Sequence, residues 1–198
     1  MRVVDISSDM IRLFVEGKVE TFARNGVETA FGPRLVEMYR QHPTNQIFVL
    51  NGPGGFTNLR VWWLALSLLN ALTWVKIEFF SCTKIDLYAY LVARGDLPGQ
   101  GALYLGQKHN VWWYDFTQMC STQLRLESLP VEENVPYFVD FVSDTSYWWE
   151  HAPYMLDISV QDNTLSVVFC GKNCIVPFSD LMEQSSPVVV PQYFVNAI

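Results

Sequence analysis

Positively charged residues are scarce in this sequence, and their scarcity limits what the chain can bind. Only 13 Lys and Arg stand against 20 Asp and Glu, which gives a formal net charge of −7. A protein that holds nucleic acid alone relies on Lys and Arg, because their contacts with phosphate release counterions. The composition therefore argues against a stand-alone nucleic-acid-binding protein, although an acidic chain can still be a subunit of a nucleic-acid enzyme.

The sequence also lacks a hydrophobic segment long enough to cross a membrane. Its longest apolar stretch, residues 61–75, would measure roughly 22 Å as a helix at 1.5 Å per residue, against about 30 Å of hydrocarbon in a bilayer. Ser67, Asn70 and Thr73 interrupt it. The first residues, MRVVDISSDM, are typical of a strand and not of a secretory signal. We expect a cytoplasmic protein without membrane association.

Residues that bind metals are few: four cysteines and three histidines. Cys170 and Cys174 bracket GKN, a predicted hairpin tip, where a disulfide or half of a metal site is the alternative to free thiols. Zinc would need two further ligands, and no second Cys or His pair stands at a suitable spacing. His42, His109 and His151 each stand alone. We predict buried free thiols and no metal site.

The order of apolar segments predicts an α/β protein. Three short strands come first, and a helix is predicted for GPRLVEMYRQH, which starts at Gly32. The strand QIFVL, a helix of residues 56–72, the strand VKIEFF and the helix TKIDLYAYLVA follow. This order predicts a mixed sheet with flanking helices. The segment RGDLPGQG predicts a boundary between an N-terminal lobe, 1–96, and a smaller, strand-rich lobe, 97–198.

A glycine-rich loop, NGPGGFTNLR at residues 51–60, joins a predicted strand to a predicted helix. Loops of this kind often bring backbone amides close to a phosphate. This one fits neither the dinucleotide pattern G-x-G-x-x-G nor the phosphate loop G-x-x-x-x-G-K-[ST]. The residues alone leave two interpretations open: a nucleotide site, or a turn whose amides cap the following helix.

The whole string is more specific than its glycines. GPGGFTNLR closely resembles the GPGSFTGLR signature of the TsaB (YeaZ) family, which belongs to the actin, Hsp70 and sugar-kinase superfamily. ALYLGQKHNVWWYDF stands where that family has its DARxGEVY hairpin, and VPQYFVN resembles its closing P-x-Y-L-R segment. The resemblance implies a two-lobed actin-like, ribonuclease-H-like α/β fold. In this chain the C-terminal lobe is shortened and strand-rich.

The resemblance also implies a function inside a complex. TsaB-like proteins are non-catalytic partners of a paralogue, TsaD, which attaches threonylcarbamoyl to N6 of adenosine 37 in tRNA. The two proteins pair through helices of the N-terminal lobe. For this chain the resemblance implies no catalytic residue, no cofactor, a heterodimer with a TsaD-like protein, and an accessory TsaE-like ATPase. A homodimer is the alternative when the chain is alone, and we expect no strong direct binding of tRNA.

Two other functions are compatible with the residues. One is an ATP-binding actin-like or kinase-like enzyme, whose nucleotide would lie near Asp5, Gly54 and Gly55. The loop ISSDM that follows Asp5 lacks the glycine that lets a backbone wrap an anion, so we expect no nucleotide there. The other is a self-associating scaffold that has lost its partner. Gly55 in place of Ser and Asn58 in place of Gly within the motif are in line with it.

Tandem tryptophans suggest where a partner would dock. Pairs stand at residues 62–63, 112–113 and 148–149. Neighbouring side chains on a helix lie about 100° apart, so one core cannot easily hide both rings of a pair. Exposed aromatic clusters mark interfaces, and Trp is frequent among binding hot spots. The predicted docking surface consists of Leu35, Met38, Tyr39, Trp62, Trp63 and Leu66. The alternative is that these side chains fill a larger core.

Overall fold

A computed structural model describes most of the chain in two compact units. The described residues are 2–7, 10–15, 17–23, 27–52, 56–73, 76–104, 110–128, 137–139, 157–161, 164–169 and 171–185. The first unit contains the described residues up to Lys84 together with the helix that begins at Phe178, and the second runs from Ile85 to Pro177. The lobes predicted as 1–96 and 97–198 stay a prediction.

The first unit is built on a five-stranded mixed sheet. Its strands are β1 (Arg2–Asp5), β2 (Met10–Val15), β3 (Lys18–Ala23), β4 (Gln46–Leu50) and β5 (Glu78–Cys82). They lie in the order β3-β2-β1-β4-β5. The first three are antiparallel neighbours, whereas β1 pairs with β4 and β4 with β5 in parallel. The mixed sheet predicted from the sequence is confirmed.

Helices cover this sheet. They are α1 (Val27–Gln41), α2 (Phe56–Leu72) and α4 (Phe178–Gln184). Helix α3 (Lys84–Ala93) begins at the last residue of the first unit and continues in the second. Both α1 and α2 connect strands that point the same way, so each must run back against them and the two helices run in the same direction. Their packing against each other creates the surface described below.

The strand side chains alternate between two covered faces, as the period of a β-strand requires. Ile47 and Val49 of β4 belong to the apolar cluster that α1 and α2 complete. Phe48, between them, points to the other face and packs against Phe178 of α4 with ring centroids 5.4 Å apart. Both faces of β4 are therefore buried, which explains why QIFVL is apolar throughout.

Helix α1 begins five residues earlier than the sequence predicts. The prediction rested on the helical spacing of Leu35, Met38 and Tyr39 and started the helix at Gly32. Glycine and proline weaken a helix interior by about 1 and 3 kcal/mol relative to alanine. The structure runs the helix through both residues from Val27. Val27 and Phe31 are buried in the core, and burying such side chains contributes about 1.5–3 kcal/mol each. Tertiary packing outweighs the local preference.

The second unit is rich in strands where the structure describes it. One sheet has the order β8-β7-β6-β9 and the other the order β10-β11-β12. The strands are β6 (Gln100–Tyr104), β7 (Asn110–Asp115), β8 (Cys120–Arg125), β9 (Tyr137–Val139), β10 (Asp157–Gln161), β11 (Thr164–Phe169) and β12 (Lys172–Pro177). The hairpin expected at ALYLGQKHNVWWYDF is confirmed as the antiparallel pair β6–β7, and β10 and β11 also pair antiparallel.

The cysteines differ in part from the prediction of buried thiols. Cys82 and Cys174 are buried, and burial raises the pKa of the Cys174 thiol. Cys120 is free but exposed, because it opens β8, whose side chains are largely exposed at the edge of its sheet. Cys170 lies outside the described residues.

Candidate functional site

The first candidate is a buried polar cluster at the ends of the parallel strands of the first unit. Asp5 ends β1, Asn51 follows β4, and Thr83 follows β5; all three are buried. Ligands of open α/β sheets bind outside the carboxyl ends of such strands, so this is where a nucleotide would be expected. Gly54 and Gly55 lie outside the described residues.

Both carboxylate oxygens of Asp5 accept hydrogen bonds from the protein itself. The Ser7 amide donates to Oδ1 at 2.9 Å, and the Ser7 hydroxyl donates to the same oxygen. Arg12 Nε donates to Oδ2 at 3.1 Å, and Nη2 of the same guanidinium also donates to it. Asp5 and Arg12 face each other across the β1–β2 pair, so strand register sets this ion pair.

The electrostatics of the cluster keep Asp5 charged. Burial raises the pKa of Asp5, but the charges of Lys84 and Arg12 and the hydrogen bonds from Ser7 together outweigh it and lower the pKa to about 2. Lys84, the first residue of α3, is fully buried. The arrangement is that of a structural ion pair at the strand ends. Nucleotide binding at Asp5, Gly54 and Gly55 is untested by this geometry.

Gly52 makes the turn at the start of the glycine-rich loop. Its φ is +61°, in the left-handed region that glycine enters without strain. Its carbonyl accepts a hydrogen bond from the Lys84 amide at 2.9 Å, and the Asn51 amide donates to the Cys82 carbonyl at 2.8 Å. These two hydrogen bonds therefore attach the start of the loop to the end of β5 and to the start of α3.

The second candidate is the surface formed by α1 and α2, where four of the six predicted docking residues prove to be core. Leu35, Met38, Trp62 and Leu66 are buried. Their positions face the sheet, and Trp62 packs on Phe31 with ring centroids 5.4 Å apart. This corrects the prediction, which counted these residues as surface.

The two remaining residues of the predicted surface lie nearer the solvent. Tyr39 is half-buried against the core cluster. Trp63 is half exposed, because it stands about 100° around the helix from its buried neighbour Trp62. Of the six predicted residues, Trp63 thus presents the most apolar surface to a partner.

An exposed apolar row on α2 extends from Trp63 and was missed by the sequence reasoning. The exposed fractions are 50% for Trp63, 62% for Leu64, 52% for Leu68 and 57% for Leu72. Leu64, Leu68 and Leu72 follow at intervals of four, which aligns them along one side of the helix. Because α2 is apolar on nearly every side, its sequence does not reveal which side packs inward.

A groove of about 590 Å³ lies between α1 and α2, beside this row. A Cβ atom built on Gly32 would meet no atom within 4 Å apart from its chain neighbours and the nearby backbone of α1, so this glycine leaves space in the groove that a larger side chain would fill. The groove is lined by Gly32, Pro33, Val36, Glu37, Arg40, Val61, Leu64, Ala65 and Leu68.

Charged side chains of α1 border the groove. Arg34 Nε donates to Glu20 Oε2 at 2.7 Å and Arg34 Nη1 contacts Glu37 Oε2 at 2.8 Å. The hydrogen bond from Arg34 lowers the pKa of Glu20, and both glutamates raise the pKa of Arg34. Gln41 donates a further hydrogen bond to Glu37 at 3.1 Å. Arg40, in the last turn of α1, is exposed.

Within the described ranges, no cluster of three or more His, Cys, Asp and Glu side chains is arranged to hold a metal ion. Of the helices in the same ranges, none is both long and apolar enough to span a membrane. His109 and His151 fall outside these ranges.

Comparison with known proteins yields only structural neighbours. The chain matches no protein-family model, and it matches no curated protein. It is similar to YeaZ from Pseudomonas aeruginosa at 14% identity and a TM-score of 0.40, over 76% of this chain and 92% of that one. A second similar structure is an uncharacterized protein with similarity to peptidase YEAZ from Pseudomonas aeruginosa. It has 15% identity and a TM-score of 0.39, over 69% of this chain and 73% of that one.

Proposed function

We propose that this chain is a non-catalytic subunit that binds a TsaD-like enzyme and supports its transfer of threonylcarbamoyl to N6 of adenosine 37 in tRNA. The observation that carries the proposal is the apolar row on α2, Trp63, Leu64, Leu68 and Leu72, beside the groove. Contiguous exposed apolar surface of this kind marks protein interfaces. The GPGGFTNLR motif, just before this row, supports the choice of partner.

The row can supply a useful part of the binding free energy. Complete burial of a leucine or similar side chain contributes about 1.5–3 kcal/mol. Since each of the four is half exposed or more, covering them would contribute roughly 1 kcal/mol apiece, with Trp63 at the upper end. This is enough for an interface anchor, although association also costs several kcal/mol in lost freedom.

The polar cluster and the charge support a role without catalysis. Ser7 and Arg12 donate hydrogen bonds to the Asp5 carboxylate, so this carboxylate stabilises the structure at the ends of the strands. With a net charge of −7 the chain has few cations to offer tRNA, so the partner would supply them. We propose that the assembly works in the cytoplasm and includes a TsaE-like ATPase.

The test is complex formation with the TsaD-like protein of the same genome, measured by light scattering after co-expression. The chain should form a heterodimer, and Leu64→Ser with Leu68→Ser should weaken it at least tenfold. Ile175→Ser is the matched control, because Ile175 on β12 is exposed to 53%, close to the 52% of Leu68. The absence of a heterodimer would refute the proposal, and a stable homodimer in its place would favour a self-associating scaffold.

A further inference from the structure

We infer that the groove between α1 and α2 selects a partner helix that is apolar along its length and carries a carboxylate at the end beside Arg40. The inference rests on the proposed function for the identity of the partner. The selectivity itself follows from the side chains that line the groove.

The apolar lining along the groove favours an apolar helix. Seven of the nine lining residues are apolar or glycine, and Leu64 and Leu68 stand one turn apart on its rim with more than half of each side chain exposed. Leucines spaced by four on a partner helix would meet them in the manner of a helix seated in a groove. The space left at Gly32 lets that helix approach α1 closely.

The two charged residues of the lining differ in their surroundings. The Glu37 carboxylate is held by Arg34 at 2.8 Å and by Gln41 at 3.1 Å, so its charge is balanced within the chain. Among the described residues, no acidic side chain forms an ion pair with Arg40. Within the described ranges, the Arg40 guanidinium at the carboxyl end of α1 therefore stays available for an acidic group of a partner.

The overall charge of the chain does not cancel this local preference. The net charge of −7 would favour a basic ligand by long-range attraction. At physiological salt, charges separated by more than about 8 Å are largely screened, so a carboxylate in contact with Arg40 outweighs distant acidic groups.

Two synthetic amphipathic helical peptides can test the selectivity on the full chain. Both have leucines at every fourth position, and they differ only in carrying Glu or Lys at both ends. Isothermal titration calorimetry at 150 mM salt should find the Glu peptide about two- to fivefold tighter, the range of an exposed ion pair. Arg40→Glu should reverse the preference. Arg125→Glu on the exposed strand β8, with the same change of charge, should leave it intact.

A blocking variant tests whether the peptide occupies the groove. Gly32→Leu fills the open space and improves helix propensity by about 1 kcal/mol, so the fold should tolerate it. It should weaken binding of both peptides at least tenfold. Equal affinity of the two peptides for the wild type, unchanged preference in Arg40→Glu, or no detectable binding of either peptide would each overturn the inference.

The same variants separate this inference from the proposed function. If the TsaD-like enzyme binds and Arg40→Glu leaves its affinity unchanged, the carboxylate preference is refuted and the proposed function stands. If the Glu peptide is preferred but the enzyme does not bind, the groove is confirmed and the proposed partner is wrong. Occupation of the groove by a second copy would appear as a homodimer that Gly32→Leu disrupts, and this too would overturn the inference.

Discussion

Replacing Arg12 by alanine removes the guanidinium that donates two hydrogen bonds to the fully buried carboxylate of Asp5. Breaking a buried ion pair costs about 3–5 kcal/mol, because the remaining charge is left without compensation. Arg12 is 22% exposed and Lys84 still faces Asp5, so we expect the lower part of that range, about 3 kcal/mol at pH 7. Urea unfolding followed by circular dichroism would measure the loss.

The pH dependence of this loss follows from the pKa of Asp5. In the folded wild type that pKa is lowered to about 2, so the group contributes about 2 kcal/mol of stability above pH 4, which disappears as the pH falls through 2. Without Arg12 the folded pKa rises, and protonation then relieves the buried charge. The difference in unfolding free energy between wild type and variant should therefore be largest at neutral pH and shrink in acid.

Two controls accompany this measurement. Arg40→Ala, at an exposed position, should change the unfolding free energy by less than about 0.5 kcal/mol. Asp5→Asn combined with Arg12→Ala should cost less than the sum of the two single changes, because the double variant lacks the buried carboxylate that Arg12→Ala alone deprives of its guanidinium. A loss below 0.5 kcal/mol for Arg12→Ala, or a loss that does not change between pH 7 and pH 3, would refute the reasoning.

Three further predictions concern tryptophan and tRNA. The Trp62 indole N–H is buried, and among the described residues it has no hydrogen-bond partner. Trp62→Phe should therefore change the unfolding free energy by no more than about 1 kcal/mol, whereas Trp62→Ala should lower it by about 3–5 kcal/mol, as measured by chemical denaturation. Trp63→Ala should leave stability within about 0.5 kcal/mol yet weaken the heterodimer tenfold or more by light scattering, and a heterodimer of unchanged affinity would contradict it. The isolated chain should show no micromolar affinity for tRNA at 150 mM salt in a filter-binding assay, and such affinity would disprove the electrostatic argument.

Much of the fold could be predicted from the sequence because its local signals agree with its tertiary structure. The strand QIFVL and the helix after the glycine loop have the predicted types, and α2 spans Phe56–Leu72 as expected. The start of α1 could not be predicted. Gly32 and Pro33 weaken a helix locally, and only the burial of Val27 and Phe31 in the folded unit compensates for them.

The candidate site was harder to predict than the fold. Helix α2 is apolar almost all round, so the sequence indicates an interface near Trp62 and Trp63 but does not assign one ring to the core and the other to the surface. The exposed row at Leu64 and Leu68 can be identified only in the folded unit, where the opposite side of α2 packs against the sheet. The pairing of Asp5 with Arg12 needs the register of β1 against β2, which short strands do not specify by themselves.

The most direct test of the proposed function is reconstitution of the modification. The TsaD-like enzyme of the same genome would be incubated with its substrates and tRNA, with and without this chain, and threonylcarbamoyladenosine would be quantified by nucleoside mass spectrometry. We predict that the chain raises the rate of modification, and that Leu64→Ser with Leu68→Ser abolishes the increase while Ile175→Ser preserves it. An equal rate with and without the chain would contradict the proposed function.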